Sequence, residues 1–273
     1  MESLSALNRI CQKPNYKKTG NWMVRTFLRD AALPCTWLLL HTPITANQVT
    51  LAALIAGLCG AFCLTLEGSA NFLWASLLLQ LWYYLDHVDG QIARYRKTAG
   101  LSGRFFDFFM HHMIHAASVL ALGVYFSREL SLGDRGLFAA FGAAYCISLF
   151  NMLHDIKSKA FVEHLLSFKS IRIRSAESPN QHGSDGANST RSKPHFFSVI
   201  HKLCEIHVMM NILTVLALIE FIFSPGTNGR ILAFILYAPA ILLLTLAKTV
   251  QFILKKKSEE EFEALFECNA DRS

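Results

Sequence analysis

From Asp86 the chain reads DHVDGQIARYRKTAGLSGRFFDFFMHH, a run in which carboxylates, histidines and small residues recur at helical spacing. On one helix Asp86, Asp89 and Ala93 stand at i, i+3 and i+7; on a second, Gly103, Asp107, His111 and His115 stand at i, i+4, i+8 and i+12, each set on one face. A short turn over 95–102 would make the two helices antiparallel and bring three carboxylates and a histidine together. Three such carboxylates cannot all stay ionised side by side, because they repel one another and burial strips their hydration. A divalent cation resolves the conflict. Asp86, Asp89, Asp107 and His111 form a set suited to one or two Mg²⁺ or Mn²⁺ ions, which typically bridge protein carboxylates to substrate phosphates. Gly90 and Ala93 are small enough to let a nucleotide approach the backbone, and Arg94 offers charge-assisted hydrogen bonds to a diphosphate.

The elements that must position these residues are apolar and long. Of 273 residues, 52% are hydrophobic and 17% charged, with a mean hydropathy of +0.32, too apolar for an ordinary soluble domain of this length. A bilayer core of about 30 Å needs about 20 apolar residues in a helix. Six runs approach that length: 47–66, one starting near 71 that turns polar from Asp86 to Arg94, 103–126, 136–153, 203–223 and 230–254. The expected fold class is therefore all-α, a polytopic membrane protein with six transmembrane helices. Ala53, Gly57 and Ala61 in the first run, and Ala140 and Ala144 in the fourth, are small-residue stripes that permit close helix contact.

Residues 1–46 read as a cytosolic N-terminus with an interfacial amphipathic helix over 22–40, kinked or ended at Pro34. Residues 47–254 read as the catalytic membrane domain, interrupted by a polar loop over 157–194 whose centre, 175–192, is expected to be mobile. Residues 255–273 form a tail. The stretch through Lys18 lacks the apolar region of a cleavable leader, so the first apolar run is expected to remain as an anchor. The net charge of +6 and pI of about 9.0 would also suit a nucleic-acid binder. Placement favours lipid: basic residues gather in the N-terminus, the 94–104 turn, the 157–202 stretch and the tail, while the opposite loops hold only Arg128, Arg135 and Arg230. By the positive-inside rule both termini and the polar cluster face the cytosol. The seven cysteines include no CxxC pair and read as reduced, packed thiols.

The segment resembles the signature of the CDP-alcohol phosphotransferase (CDP-alcohol phosphatidyltransferase) family, D-x2-D-G-x2-A-R-x8-G-x3-D-x3-D. Asp86, Asp89, Gly90, Ala93, Arg94, Gly103 and Asp107 fall on it; the last aspartate is replaced by His111. Thr45-Ala46-Asn47-Gln48-Val49-Thr50 at the start of the first run is also similar to family members. The resemblance implies a CDP-alcohol donor, an acceptor alcohol and release of CMP in phospholipid or related lipid synthesis. It also implies a pair of Mg²⁺ or Mn²⁺ ions on Asp86, Asp89 and Asp107, a cytidine site at Gly90, Ala93, Arg94 and Gly103, and a homodimer among membrane lipids. In the family the last aspartate touches the second metal and takes the acceptor's proton. An imidazole at 111 is competent to accept that proton at cytosolic pH and to ligate a metal, but it lacks the aspartate's charge.

Other polar residues have plainer readings. His87 and His112 point away from the two faces, and His115 is placed to bond His111. Asn151, His154, Asp155, His207 and Asn211 suit interhelical hydrogen bonds better than an acceptor site. Lys157, Lys159, Arg172 and Arg174 suit a cytosolic loop, and Glu220 the opposite interface. Three rivals stand against a working transferase: an inactive CDP-alcohol-binding relative, a histidine-box metalloenzyme built on His111, His112 and His115, and an ion transporter. The second lacks further histidine boxes, and the third lacks inverted repeats and mid-membrane carboxylates.

Overall fold

The computed structural model describes residues 3–12, 23–166, 168, 171–173, 202, 204–223, 228–253 and 257–268. Nine α-helices occur among them: α1 (Leu4–Cys11), α2 (Arg29–Leu40), α3 (Ala46–Leu64), α4 (Ser69–Tyr95), α5 (Leu101–Glu129), α6 (Asp134–Leu166), α7 (Ile206–Phe223), α8 (Gly229–Ile253) and α9 (Lys257–Leu265). A π-helical turn, Val24–Leu28, leads into α2. Two three-residue strands, β1 (Ile171–Ile173) and β2 (Phe266–Cys268), form an antiparallel pair. The all-helical class expected from the pattern of apolar runs is therefore observed.

Five helices, α3, α5, α6, α7 and α8, are long and apolar enough to cross a membrane by length and composition. Their outward faces carry large exposed apolar side chains such as Phe62, Phe138, Phe141, Val215, Leu236 and Leu243, as lipid-facing surfaces do. The run expected as a second span is α4. At 27 residues it is about 40 Å long, yet it stands outside those five because its lower half is polar. Its upper half buries Phe72, Ala75, Leu79 and Trp82 against α3, α5 and α7.

Close approach of α3 to its neighbours depends on small residues. Ala53 and Ala61 are buried, and a Cβ on Gly57 would stand 2.6 Å from Ile114 Cδ1 and 3.2 Å from Trp82 Cγ. A Cβ on Gly60 would stand 3.1 Å from the Ala75 carbonyl oxygen. The first small-residue stripe therefore faces packed helices. The Thr45 hydroxyl accepts from Gln48 N at 3.3 Å while Gln48 Oε1 accepts from Thr45 N at 2.8 Å, a reciprocal cap that starts α3 where the TANQ sequence places it.

Several local expectations are corrected. α2 runs on through Pro34, its sixth residue, so the helix does not end there. α6 extends to Leu166, so residues 157–166 are helical rather than loop; 175–192 lie outside the described residues. Arg230 is not a solvated loop residue. It is 1% exposed at the start of α8, where its guanidinium lies 3.8 Å from the Tyr125 ring centroid and 3.7 Å from Glu220 Oε1. It also donates to the Leu66 and Gly68 carbonyls, tying α8 to the α3–α4 turn. Glu220 in turn accepts from Gly229 N at 2.9 Å.

Candidate active site and metal centre

The tight turn 96–100 joins α4 to α5, with Arg96 donating to the Ile44 and Thr42 carbonyls at 2.5 and 2.7 Å. That anchor ties the turn to the start of α3 and sets the polar end of α4 beside the start of α5. Asp86, Asp107 and His111 each offer a ligand atom there, all within 4.8 Å of one another. His111 Nε2 stands 3.0 Å from Asp86 Oδ1 and 3.4 Å from Asp107 Oδ1. A nitrogen facing two carboxylate oxygens is a donor, so this arrangement assigns the proton to Nε2. The Trp82 ring stands edge-on to the imidazole, with centroids 5.2 Å apart.

Asp89 is not in that close trio. It is buried one turn down α4, where the Thr50 hydroxyl of α3 donates to its Oδ2 at 2.5 Å. The four-residue convergence expected from spacing is thus a trio plus a neighbour. The geometry still unites them, because one cavity is lined by Asp86, Asp89 and Asp107 together with Gly90, Arg94, Gln12, Arg29, His87 and Gln91. Two carboxylates and an imidazole at chelating separation, with a third carboxylate on the same cavity, match the oxygen-dominated donor set that Mg²⁺ and Mn²⁺ take.

The small residues play distinct parts. A Cβ on Gly90 would lie 3.1 Å from Arg94 Nη1, so the space above Gly90 is filled by the guanidinium rather than left open. Around Gly103 the nearest atom to such a Cβ is Asn47 Oδ1 at 4.0 Å, which leaves room there. Ala93 is half-buried on α4 and does not line the cavity. Arg94 Nε donates to the Cys11 carbonyl of α1.

The surrounding histidines are engaged elsewhere. His115 is buried and bonds the Tyr237 hydroxyl at 2.7 Å and Asn151 Nδ2 at 3.4 Å, partners on α8 and α6 rather than His111. His87 contacts Tyr83 O at 2.9 Å and Asp86 Oδ2 at 3.6 Å, so it belongs to the cavity wall and not to an outer interface. His112 lies 3.4 Å from Asp155 Oδ2. His207 stacks on Tyr83 with centroids 6.0 Å apart, and Asn211 Oδ1 accepts from Gln80 Nε2 at 3.0 Å, an interhelical bond. Lys157 pairs with Glu261 at 2.8 Å and Lys159 with Glu163 at 3.7 Å. The side chains of His154 and Arg172, and all of Arg174, lie outside the described residues.

Spacing within the signature does not reveal Thr50, Gln12, Arg29 or Gln91. Thr50 alone left a trace, as the last residue of the TANQVT stretch. Gln91 is fixed by Thr36 Oγ1, which donates to its Oε1 at 2.6 Å, and by its own donation to Arg29 O at 2.8 Å.

Fold and site together describe a helical protein with five helices long and apolar enough to cross a membrane, and a group of side chains, Asp86, Asp107 and His111, that could hold a metal ion where α4 and α5 meet. Residues 43–159, a segment that contains every signature position, match the model of the CDP-alcohol phosphatidyltransferase family. It is a family of metal-dependent transferases, and the match points to a membrane phosphotransferase of phospholipid synthesis. No match is found among curated proteins.

Proposed function

We propose that the chain transfers a phospho-alcohol group from a CDP-alcohol to an acceptor alcohol, with release of CMP, at the cytosolic edge of a membrane. The observation that carries this reading is the trio Asp86, Asp107 and His111, whose two carboxylates line one cavity with Asp89 and Arg94. Asp86, Asp107 and His111 would hold a Mg²⁺ or Mn²⁺ ion, with Asp89 available to it or to a second. A bound divalent cation supplies neutralising charge for the diphosphate and its leaving group. Arg94, which lines the same cavity, would pair with the diphosphate. Thr50 holds Asp89 in one rotamer.

His111 takes the proton from the acceptor hydroxyl, whose oxygen attacks the phosphorus that carries the donor's alcohol. The bond from that phosphorus to the bridging oxygen breaks, and CMP leaves with the electron pair. No covalent enzyme intermediate is needed. A neutral imidazole has a single lone pair. While His111 serves as base, the cation would therefore rest on the carboxylates of Asp86, Asp107 and Asp89, and the lone pair would be that of Nδ1 for as long as Nε2 donates to Asp86 and Asp107. The placement of basic residues supports cytosolic termini and a cytosolic site. By family resemblance the protein acts as a homodimer.

The test is a screen of the purified full-length protein against paired donors and acceptors, using CDP-diacylglycerol and small CDP-alcohols with glycerol phosphate, inositol phosphate, serine and diacylglycerol. CMP release is read with and without EDTA. Turnover with one pair, lost with EDTA and in Asp89→Asn and Asp107→Asn, is the expected result. Nucleotide binding without turnover for any pair would identify the inactive relative instead. Iron in the purified protein would favour the histidine-box reading.

A further inference from the structure

The signature does not account for α1. This eight-residue helix begins with Ser3 Oγ accepting from Ala6 N at 3.4 Å, and it buries Leu7 and Cys11 with Leu33 under Trp37, Leu40 and Tyr95. It is thereby clamped between α2 and the polar end of α4. Its last carbonyls have no partner within the helix and carry the negative end of the peptide dipoles. One of them, Cys11 O, accepts from Arg94 Nε. The next residue, Gln12, is 8% exposed, donates from Nε2 to Arg29 O at 3.3 Å, and lines the same cavity as Asp86, Asp89, Gly90 and Arg94. That bond engages one amide hydrogen, and an amide has further donor and acceptor capacity.

We propose that α1 completes the donor subsite: the Cys11 carbonyl positions Arg94 for the nucleoside diphosphate, and the Gln12 carboxamide forms the neutral wall that this ligand meets. The inference rests on the CDP-alcohol reading and adds to it a specificity-determining residue from a helix outside the signature. Anchoring through Nε holds the guanidinium plane over Gly90, where a Cβ would stand 3.1 Å from Nη1, and leaves the two terminal nitrogens for phosphate oxygens. A neutral amide at 12 fits an anionic ligand, whereas a carboxylate there would repel it.

The experiment compares wild type, Gln12→Glu and Leu7→Asp as full-length proteins in detergent. It measures CDP binding in the presence of Mg²⁺ by calorimetry, thermal midpoints, and kcat and KM for the donor. Gln12→Glu is expected to weaken CDP by on the order of tenfold or more, more than any fall in thermal midpoint from the lost bond to Arg29 O accounts for, with the kinetic effect falling on donor KM rather than kcat. Leu7→Asp undocks α1 and is expected to weaken CDP similarly. If both variants bind CDP as wild type does, α1 is packing alone and the proposal fails. A loss of binding that only tracks a fall in thermal midpoint in both variants also overturns it. Wild type that binds no CDP would sink the donor reading as well, which separates the two failures.

Discussion

Replacing Thr50 by valine tests how far the site depends on a residue that is not itself a ligand. Valine keeps the volume and branching of threonine, so the α3–α4 contact stays filled while the donor to Asp89 Oδ2 disappears. The Thr50 hydroxyl has one hydrogen and two acceptors in reach, Asp89 Oδ2 at 2.5 Å and Ala46 O at 3.1 Å; the shorter, charge-assisted contact takes most of it. A hydrogen bond to a charged group contributes about 1.5–3 kcal/mol, and loss of a partner that orients a metal ligand costs about 10–100-fold in metal affinity. The two magnitudes agree, since 1.4 kcal/mol is about a factor of ten. In CMP-release assays at saturating donor, the Mg²⁺ or Mn²⁺ concentration for half-maximal rate is expected to rise by about 10–100-fold in Thr50→Val, and Thr50→Ser is expected to restore it. An unchanged metal requirement in Thr50→Val would refute the reasoning and leave Asp89 with no part in cation binding.

His111→Ala should lower kcat by about a hundredfold or more, the scale of a lost general base, while CDP binding measured by calorimetry is kept; a wild-type rate would remove His111 from the mechanism. Gly57→Val places a Cβ 2.6 Å from Ile114 Cδ1 and, by overpacking, should cost about 1–3 kcal/mol, seen as a lower thermal midpoint in detergent. Because Ile114 lies one turn from His111, kcat should fall as well. Glu220→Ala strips buried Arg230 of its carboxylate partner and should destabilise by about 3 kcal/mol. The site is about 25 Å away along α4, so the metal requirement should not change.

The signature faces were legible from spacing because helical periodicity decides them before any packing does. Asp86, Asp107 and His111 meet as their i, i+4 spacing and the short turn require, and the Thr45 cap and the Ala53, Gly57 and Ala61 stripe follow from residue type alone. Asp89 departed from the expected cluster because its partner, Thr50, is on a different helix, and a cross-helix hydrogen bond leaves no periodicity to read. Helix α1 was hidden for a similar reason. Eight residues in a polar, basic stretch carry too little apolar surface to stand out, and only the pocket formed by Leu33, Trp37 and Tyr95 makes Leu7 and Cys11 a core. Arg230 looked like a solvated loop cation because its carbonyl, carboxylate and aromatic partners come from three other segments. The extension of α6 beyond residue 153 was obscured by the charges at 155–159, which end an apolar run without ending a helix.

The central claim is that Asp86, Asp107 and His111 grip a divalent cation that also engages a diphosphate. Mn²⁺ titration of the purified protein, followed by electron paramagnetic resonance with and without CDP, measures this directly. Wild type is expected to take up Mn²⁺ more tightly when CDP is present, and the Asp86→Asn, Asp107→Asn double variant to lose that uptake. Equal Mn²⁺ uptake by wild type and the double variant, or uptake indifferent to CDP, would contradict the account.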